Sequence, residues 1–406
     1  RKILSSFHLR GYQEVIPPIF EYLDVFSRGS GEDGIPGMYK IIDRATGRIM
    51  VLRPDVTPQI ARIGATLLAD HPRPLRLCYS ANVFRHEEEH AGRERELSQI
   101  GGELIGPTDA ESDAEVIMLA IETLQGLGLG SFRITLGQMA FTRGLLSPFE
   151  SSPDLLGQIL QSVAKKEASR LDSLLKDAAV AQNLRHQVLS LLDLFGGEDV
   201  FQQTASIFKD QPLCLPGLKR LKEVYNILKS FGYQEYILID FGEVRGFDYY
   251  TGMIFEIFAE GIGSELGGGG RYDHLLERFG DASASTGFAL YLERIQAALE
   301  HTLAGKTDEI FIDFLLIYLP TTEKRANAVA RRLRALGCRV ICKNGLKKEF
   351  LDPDLPDAKK QKIRKILLIQ GPETESSLQV IDVSSGMRRV QNQKDPVEWL
   401  RQGGLI

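Results

Sequence analysis

The sequence predicts an α+β protein with a mainly antiparallel sheet, a helical insertion that interrupts the sheet, and a small C-terminal α/β domain. Apolar patterns at Leu75–Phe84 and Gln99–Ile105, joined by a charged loop, are typical of an antiparallel hairpin. Residues 138–232 carry apolar side chains almost entirely at helical spacing, and strand signals return afterwards. Beyond Glu300, strand and helix patterns alternate, which indicates a separate α/β domain.

These patterns divide the chain into four segments. We expect residues 1–137 and 233–303 to form one core whose two sheet halves pack together. Residues 138–232 form the insertion, and residues 309–406 form the C-terminal domain. The expected linker is Thr307–Glu309.

Local signals predict the individual elements. Gly11–Phe20 indicates a helix exit followed by an apolar strand that enters a proline pair. Thr57 is the expected N-cap of a helix with Pro58 in its first turn. Further predicted core elements are a strand at Ile49–Leu52, a helix at Asp109–Leu127, and strands at Ser131–Gly137, Tyr236–Asp240 and Met253–Phe258. In the C-terminal domain we predict strands at Phe311–Leu319, Cys338–Cys342, Lys365–Ile369 and Leu378–Val383, and helices at Glu323–Leu336 and Asp357–Arg364.

The composition is that of an ordinary globular protein, with 406 residues, 43% hydrophobic and 25% charged. The longest apolar run, near Phe311, is shorter than the roughly 20 residues of a transmembrane helix, and no targeting segment is evident. Because the chain starts at Arg1, we expect further N-terminal sequence. Four cysteines without a C-x-x-C pair favour a reducing cytoplasm. The net charge of −5, with a mildly basic region from Ala304 onward, is a weak signal for nucleic-acid binding.

Two motifs invite interpretations that their context disfavours. His86–His90 matches the H-E-x-x-H pattern of zinc proteases, but it follows a strand and runs into Ala91-Gly92, so no long helix presents both imidazoles. A zinc protease is therefore a remote alternative to a solvated loop, and no metal site is predicted. Gly261–Gly270 lacks glycine at Leu266 and is not followed by Gly-Lys-Ser/Thr, so a hairpin turn with close backbone approach is favoured over a phosphate loop.

Polar side chains lie at the ends of several predicted core strands. Gln99 and Glu103 are four residues apart, so they point to the same face of a strand, and Gly101 between them leaves room for a ligand. Carboxylates suit an ammonium, an arginine suits a carboxylate, and a Tyr–Glu pair suits the two nitrogens of an imidazole. The whole set suits a small zwitterion and comprises Arg53, Asp55, Thr57, Arg85, Gln99, Glu103, Arg245, Tyr249, Tyr250, Arg271, Tyr272 and Asp273.

The order of these groups resembles the class II aminoacyl-tRNA synthetases, specifically the histidyl-tRNA synthetase branch. The resemblance rests on PPIFE, FRHE to GGELIG, RGFDYYTG, GGRYD and GFALYLER, in that order, and it covers most of residues 1–300. It implies an antiparallel sheet of six or seven strands, dimerisation through the PPIFE region, and a C-terminal domain placed like an anticodon-binding domain.

The resemblance also implies roles for particular residues. Asp55, Thr57 and Gln99 would bind a histidine ammonium, with Asp55 standing where the synthetases have glutamate. Glu103 and Tyr250 would bind the imidazole, and Arg245 would face the carboxylate. Tyr249 belongs to the same implied histidine-binding set.

The chain departs from the synthetase pattern where ATP and tRNA would bind. Glu88 and Glu89 replace polar and basic loop residues and would repel a triphosphate. Tyr291 replaces a glycine beside the adenine site, and its ring would fill space that a nucleotide needs. Anion binding at Arg85, Arg93 and Arg294 stays open.

LRPDVTPQIAR and FRHEEEHAGRERELSQIGGELIG resemble a paralogous family more closely, the regulatory subunits of ATP phosphoribosyltransferase. This resemblance implies a non-catalytic, cytoplasmic protein that binds L-histidine, self-associates as a dimer and allosterically controls a short-form catalytic partner. It implies no catalytic residue and no cofactor. The short apolar runs predict no membrane association, and the changes at Glu88 and Glu89 argue against a tRNA partner. An active histidyl-tRNA synthetase is the main alternative, favoured by the C-terminal domain.

Overall fold

The computed structural model describes residues 1–30, 37–86, 94–244, 250–303, 312–345, 355–370, 377–391 and 396–402. The chain forms two compact units, Arg1–Thr302 and Leu303–Ile406. The expected linker at Thr307–Glu309 lies outside the described residues. Within the described parts of both units, no helix is long and apolar enough to cross a membrane.

The first unit combines eleven α-helices with twelve strands among its described residues. The helices are α1 Lys2–Leu9, α2 Leu23–Ser30, α3 Thr57–Ala65, α4 Ala110–Gly126, α5 Met139–Leu146, α6 Pro153–Ala164, α7 Ala168–Asp177, α8 Gln182–Ser190, α9 Val200–Ile207, α10 Leu215–Ser230 and α11 Leu292–Leu303. The strands are β1 Gln13–Glu14, β2 Phe20–Tyr22, β3 Lys40–Ile42, β4 Ile49–Leu52, β5 Leu75–Phe84, β6 Glu96–Ile105, β7 Phe132–Gln138, β8 Phe195–Gly196, β9 Ile237–Asp240, β10 Met253–Ala259, β11 Gly267–Arg271 and β12 Ser285–Tyr291.

A nine-stranded sheet forms the centre of this unit, in the order β1-β5-β6-β12-β11-β10-β7-β9-β8. Its central strands pair antiparallel, while β1 with β5 and β7 with β9 pair parallel. The two predicted sheet halves therefore share one hydrogen-bonded sheet, because β6 pairs with β12 and β10 with β7. The expectation of six or seven strands was wrong, since β1 and β8 add two-residue edge strands that are too short to show a periodic pattern.

The Gly11–Phe20 strand is shorter than predicted. Only Gln13 and Glu14 form β1, and Val15 adds one hydrogen bond to the Cys78 carbonyl before the chain leaves the sheet. Pro17 and Pro18 follow at once, and because proline has no backbone N–H the ladder cannot continue through them. The chain re-enters regular structure at β2, in a separate three-stranded sheet of order β2-β4-β3.

One helix covers the middle of the large sheet. The side chain of Asp109 caps α4 by accepting a hydrogen bond of 2.7 Å from the backbone N–H of Ser112. Most of α4 is buried, and its apolar side chains join a core that includes insertion residues such as Phe141 and Phe208. The insertion helices and the sheet therefore share one hydrophobic core.

The glycine run forms a turn and then a central strand. Gly261 has a φ of +79°, in the left-handed region that favours glycine, and it lies in the turn after β10. Gly267 to Gly270 form most of β11, where a Cβ atom would clash with the backbone of β10 or β12 on either side. The prediction of a turn with close backbone approach is confirmed, although the glycines extend into the sheet itself.

The second unit is an α/β domain with a five-stranded sheet of order β14-β13-β15-β16-β17. Its elements are β13 Ile312–Tyr318, α12 Glu323–Ala335, β14 Val340–Asn344, α13 Leu355–Lys360, β15 Ile363–Gln370, β16 Ser377–Asp382, β17 Arg388–Gln391 and α14 Pro396–Gln402. The predicted helix at Asp357–Arg364 runs too far, because Ile363 is buried and begins β15. Strand β17 and helix α14 were not predicted.

Candidate ligand-binding site

A pocket of about 470 Å³, including its open mouth, lies over the centre of the large sheet. Strands β6, β11 and β12 supply its floor, and the start of α3 and residue Tyr250 supply its walls. Five of the predicted histidine-binding residues line it, namely Asp55, Thr57, Gln99, Glu103 and Tyr250. Arg245 and Tyr249 lie outside the described residues.

Glu103 is the most enclosed acid in the pocket, with 1% of its surface exposed. The Thr57 hydroxyl donates to one carboxylate oxygen over 2.8 Å, and the Tyr272 hydroxyl donates to the other. A Cβ atom at Gly287 would overlap this carboxylate, so the backbone of β12 fits closely beneath it. Burial raises the pKa of Glu103 to about 8, although the two hydroxyl hydrogen bonds lower it. The buried carboxyl group therefore favours its protonated form at neutral pH.

Thr57 does not act as the predicted N-cap. Helix α3 begins at Thr57 itself, Val56 occupies the N-cap position, and no side chain caps the helix. The Thr57 hydroxyl is hydrogen-bonded to Glu103 instead. The N-cap prediction was wrong because the hydroxyl fixes the carboxylate of the pocket and is not available to the helix.

Gln99 and Asp55 form a second polar pair in the pocket. The Gln99 amide nitrogen donates to an Asp55 carboxylate oxygen over 3.1 Å, and the backbone N–H of Val56 donates to the same oxygen. The Gln99 amide oxygen is buried and has no hydrogen-bond partner among the described residues. A carboxylate and a free amide acceptor side by side suit a ligand ammonium, which has three donors.

The space over Gly101 is already filled. Gly101 lies opposite Tyr79 on β5, and a Cβ atom at Gly101 would overlap the Tyr79 phenol. The expectation that Gly101 leaves room for a ligand was therefore wrong, because the neighbouring strand supplies a fully buried ring. Gln99 and Glu103 still reach the same pocket from either side of Gly101.

The Tyr250 phenol faces this group of acids. Burial, together with the nearby charges of Asp55 and Glu103, raises the pKa of Tyr250 above its usual value. The phenol therefore keeps its proton and can donate a hydrogen bond. Gly270 makes room for the ring, because a Cβ atom there would lie 2.9 Å from the Tyr250 Cδ1 atom.

A second cavity of about 530 Å³, including open solvent, adjoins the first along Tyr250 and Tyr291. Three carboxylates line it, from Glu243, Glu256 and Glu265. An anionic ligand such as a triphosphate would meet repulsion there. Acidic side chains thus line both cavities in the described part of the chain, and Arg85 is the cationic residue that lines the first one.

Tyr291 lies between two of the arginines predicted to bind anions. Arg85 donates to the Tyr291 hydroxyl over 3.2 Å, and the guanidinium carbon of Arg294 lies 4.5 Å from the ring centroid. Arg294 also forms a 2.7 Å ion pair with Glu265. Both guanidinium groups are therefore engaged by this chain's own side chains. Arg93 lies outside the described residues.

Tyr272 was noted in the sequence but was not selected as a site residue. It follows Arg271, which is bound to the buried carboxylate of Asp113 over 2.7 Å. Adjacent residues of an extended chain point to opposite faces, so an arginine directed at the helix side places Tyr272 on the pocket side. That alternation is the signal that could have identified it.

The described part of the H-E-x-x-H segment is His86. Its backbone N–H donates to the Gly37 carbonyl over 3.0 Å, and its ring makes an edge contact with Tyr39. Residues 87–90 lie outside the described residues. Among those that are described, no group of three histidine, cysteine or acidic side chains is placed to hold a metal ion.

The antiparallel sheet, its insertion and its central polar pocket define a protein of the histidyl-tRNA synthetase-like class. The chain matches the histidyl-tRNA synthetase family over residues 1–295. A histidyl-tRNA synthetase from Nostoc, at 20% identity, has the same fold with a TM-score of 0.81, covering 99% of this chain and 94% of the other. A Bacillus halodurans protein described as an ATP phosphoribosyltransferase regulatory subunit/histidyl-tRNA synthetase superposes with a TM-score of 0.76 at 27% identity, covering 91% and 93%.

Curated relatives identify the branch. The ATP phosphoribosyltransferase regulatory subunit of Syntrophotalea carbinolica is 35% identical over 91% of this chain and 85% of its own length. The same subunit from Moorella thermoacetica is 40% identical over 74% of this chain and 77% of its own. The chain therefore belongs to the ATP phosphoribosyltransferase regulatory subunit family.

Proposed function

We propose that this chain binds L-histidine in the pocket over the sheet and transmits its occupancy to a short-form ATP phosphoribosyltransferase catalytic subunit. The observation that carries the proposal is the convergence of Asp55, Gln99, Glu103 and Tyr250 on one small cavity. The regulatory-subunit names of the relatives support the choice of partner. Such a chain performs no chemistry of its own and requires no cofactor.

The polar groups of the pocket match histidine in kind. Asp55 and the free oxygen of Gln99 accept from the ammonium, while Glu103 and Tyr250 bind opposite nitrogens of the imidazole. On binding, Glu103 releases its proton to solvent, so that its carboxylate accepts from the N–H of a neutral imidazole while the Tyr250 hydroxyl donates to the other ring nitrogen. We assign Arg245 to the carboxylate of the bound histidine, and we include Tyr249 among the histidine-binding residues.

Synthetase chemistry is the second candidate, and the histidyl-tRNA synthetase family match favours it. Adenylate formation needs space for ATP beside the histidine. Here the Tyr291 ring, held by Arg85 and Arg294, borders both cavities, and the second cavity is lined by carboxylates. We infer that ATP is excluded and that tRNA is not a substrate. Histidine-dependent exchange of pyrophosphate into ATP would establish the synthetase alternative instead.

We also propose that the chain forms a dimer through an N-terminal apolar surface, defined by the exposed side chains of Ile16, Ile19, Phe20, Ile41, Ile42 and Ile49. These residues belong to the three-stranded sheet and to the segment that leads into it. A second copy presents the same apolar groups, so a two-fold contact would remove both sets from water. Four free cysteines suit the reducing cytoplasm, where we place the assembly.

Reconstitution tests the central proposal. Mixed with a short-form catalytic subunit, this chain should co-elute on gel filtration, raise the phosphoribosyltransferase rate and make that rate sensitive to histidine. Glu103→Gln should retain co-elution and activation but require more histidine for inhibition. Failure to co-elute, or equal inhibition with and without this chain, would contradict the regulatory function.

A further inference from the structure

Arg53 connects the pocket to the segment that carries the N-terminal apolar surface. It is 4% exposed, and one guanidinium nitrogen donates to the carbonyls of Pro17 and Pro18 over 2.8 and 3.1 Å. Its Nε donates to the Asn82 carbonyl over 2.6 Å. The backbone N–H of Arg53 also donates to the Ile19 carbonyl over 3.0 Å. The Pro17 to Ile19 segment is therefore fixed against a single buried side chain and its backbone.

Neighbouring contacts follow the same route. The Gln59 amide in α3 donates to the Pro18 carbonyl over 2.9 Å, and Arg62 forms a 2.6 Å ion pair with Glu21. Strand β4 pairs with β2 at Leu52 and Phe20, immediately before Arg53. The Pro17–Ile19 segment and the start of β2 are thus contacted by β4 on one side and by side chains of α3 on the other.

On the pocket side, the same stretch of chain carries ligand groups. Two residues after Arg53, Asp55 accepts from Gln99 in the pocket. The Arg53 carbonyl accepts from the backbone N–H of Phe84 over 2.9 Å, and the Pro54 carbonyl accepts from Arg85 over 3.0 Å. A ligand that binds the Asp55 carboxylate therefore contacts a segment of three residues, Arg53 to Asp55. The first residue of that segment is hydrogen-bonded to Pro17 and Pro18.

We propose that Arg53 is a positioning residue that couples ligand binding in the pocket to self-association through the N-terminal apolar surface. The coupling rests on the proposed function, since it requires histidine in the pocket and a second copy on the surface. A ligand that restrains Asp55 adds to the restraint that Arg53 already places on the Pro17–Ile19 segment, so association then orders less of the chain. Linkage is reciprocal, so association must strengthen histidine binding by the same factor.

The dimer dissociation constant, measured by fluorescence-detected sedimentation with and without saturating histidine, tests this coupling. In the wild type, histidine should tighten association at least about fivefold, the lower end of typical coupling. Arg53→Met should reduce that factor to below about twofold while leaving a folded, histidine-binding protein, because it removes the bonds to Pro17, Pro18 and Asn82 but no side chain that lines the pocket. A loss of stability that leaves the native state fully populated, checked by circular dichroism, would not alter this ratio.

Arg48→Met is the matched control. Arg48 lies just before β4, and its side chain is exposed and pairs with Asp24 without reaching the pocket segment. This variant should keep the full histidine effect. Gln59→Met, which removes only the single bond to Pro18, should reduce the effect partially and serves as the readout if Arg53→Met fails to fold.

The outcomes separate the two proposals. Histidine binding and dimerisation with no histidine effect on the dimer constant would overturn the coupling and leave the proposed function intact. An undiminished effect in Arg53→Met, or in Gln59→Met where the former does not fold, would also overturn it. A wild type that binds no histidine would overturn the proposed function and the coupling together.

Discussion

The two adjoining cavities over the large sheet share a wall that includes Tyr250 and Tyr291, but they are otherwise lined by different polar side chains. On one side, Glu103 is fixed by Thr57 and Tyr272 and faces an open pocket that contains a free amide acceptor. On the other side, the Tyr291 ring lies between Arg85 and Arg294 at the edge of an acidic cavity. The first half presents an unsatisfied acceptor to a small ligand, whereas the wall between the halves is a ring contacted by Arg85, which lines the first pocket, and by Arg294. The difference is the one expected of a synthetase-like fold that keeps a small-ligand pocket, as we propose, and has a tyrosine ring beside it.

The largest expected change in histidine affinity follows from replacing Glu103, the buried acid of the proposed histidine pocket. Glu103→Gln keeps the size of the side chain but removes the charge that accepts from the imidazole, so histidine affinity should fall about tenfold to 150-fold, the equivalent of about 1.5–3 kcal/mol. Isothermal titration calorimetry with the isolated chain gives the affinity directly. Glu256→Gln, in the acidic cavity, is the matched control and should leave histidine affinity within about twofold. Unchanged affinity in Glu103→Gln would move the site elsewhere.

The same carboxyl group should make stability depend on pH. Its folded-state pKa of about 8 lies above the ordinary value of 4.5, so the protonated form is favoured in the native state. Its contribution to stability is fully present below about pH 4.5 and is lost as the pH rises towards 8. Relative to Glu103→Gln, the wild type should therefore lose free energy of unfolding between pH 5 and pH 8, measured by urea denaturation of the ligand-free proteins. A difference that stays constant with pH would mean that Glu103 is already ionised at pH 5.

Truncating the Tyr291 side chain should enlarge the space between the two cavities. Tyr291→Ala should expose Arg85 and Arg294 to an incoming planar base, and cation–π contacts with an adenine ring would raise adenosine affinity about twofold to 30-fold. ATP should gain less than adenosine, because Glu243, Glu256 and Glu265 remain to repel its phosphates.

Tyr291→Phe is the control for this truncation, since it keeps the ring and loses only the hydrogen bond from Arg85. It should bind no more adenosine than the wild type. Equilibrium dialysis with labelled adenosine and ATP distinguishes the cases. Tight ATP binding by the wild type would show that the Tyr291 ring does not exclude the nucleotide.

Periodicity predicted much of this arrangement. The alternation of β6 put Gln99 and Glu103 on one face, and both line the pocket. The glycine run was correctly interpreted as close backbone approach, because a Cβ clash on both sides of a central strand is a local property of the sheet. What the sequence could not supply were contacts between distant segments. The Tyr79 phenol fills the space over Gly101 from another strand, and Thr57 gives its hydroxyl to Glu103 instead of its own helix.

The smallest expected effect concerns the wall shared by the two halves. Tyr250→Phe removes a neutral hydrogen-bond donor, which is worth about 0.5–1.5 kcal/mol, so histidine affinity should fall about twofold to tenfold. The ring itself stays over Gly270, so the barrier between the cavities and the exclusion of adenosine should persist. Calorimetry on Tyr250→Phe beside Glu103→Gln ranks the two imidazole contacts. A larger loss in Tyr250→Phe would indicate that the phenol hydrogen bond matters more than the buried acid, and that Glu103 mainly maintains the pocket with Thr57 and Tyr272.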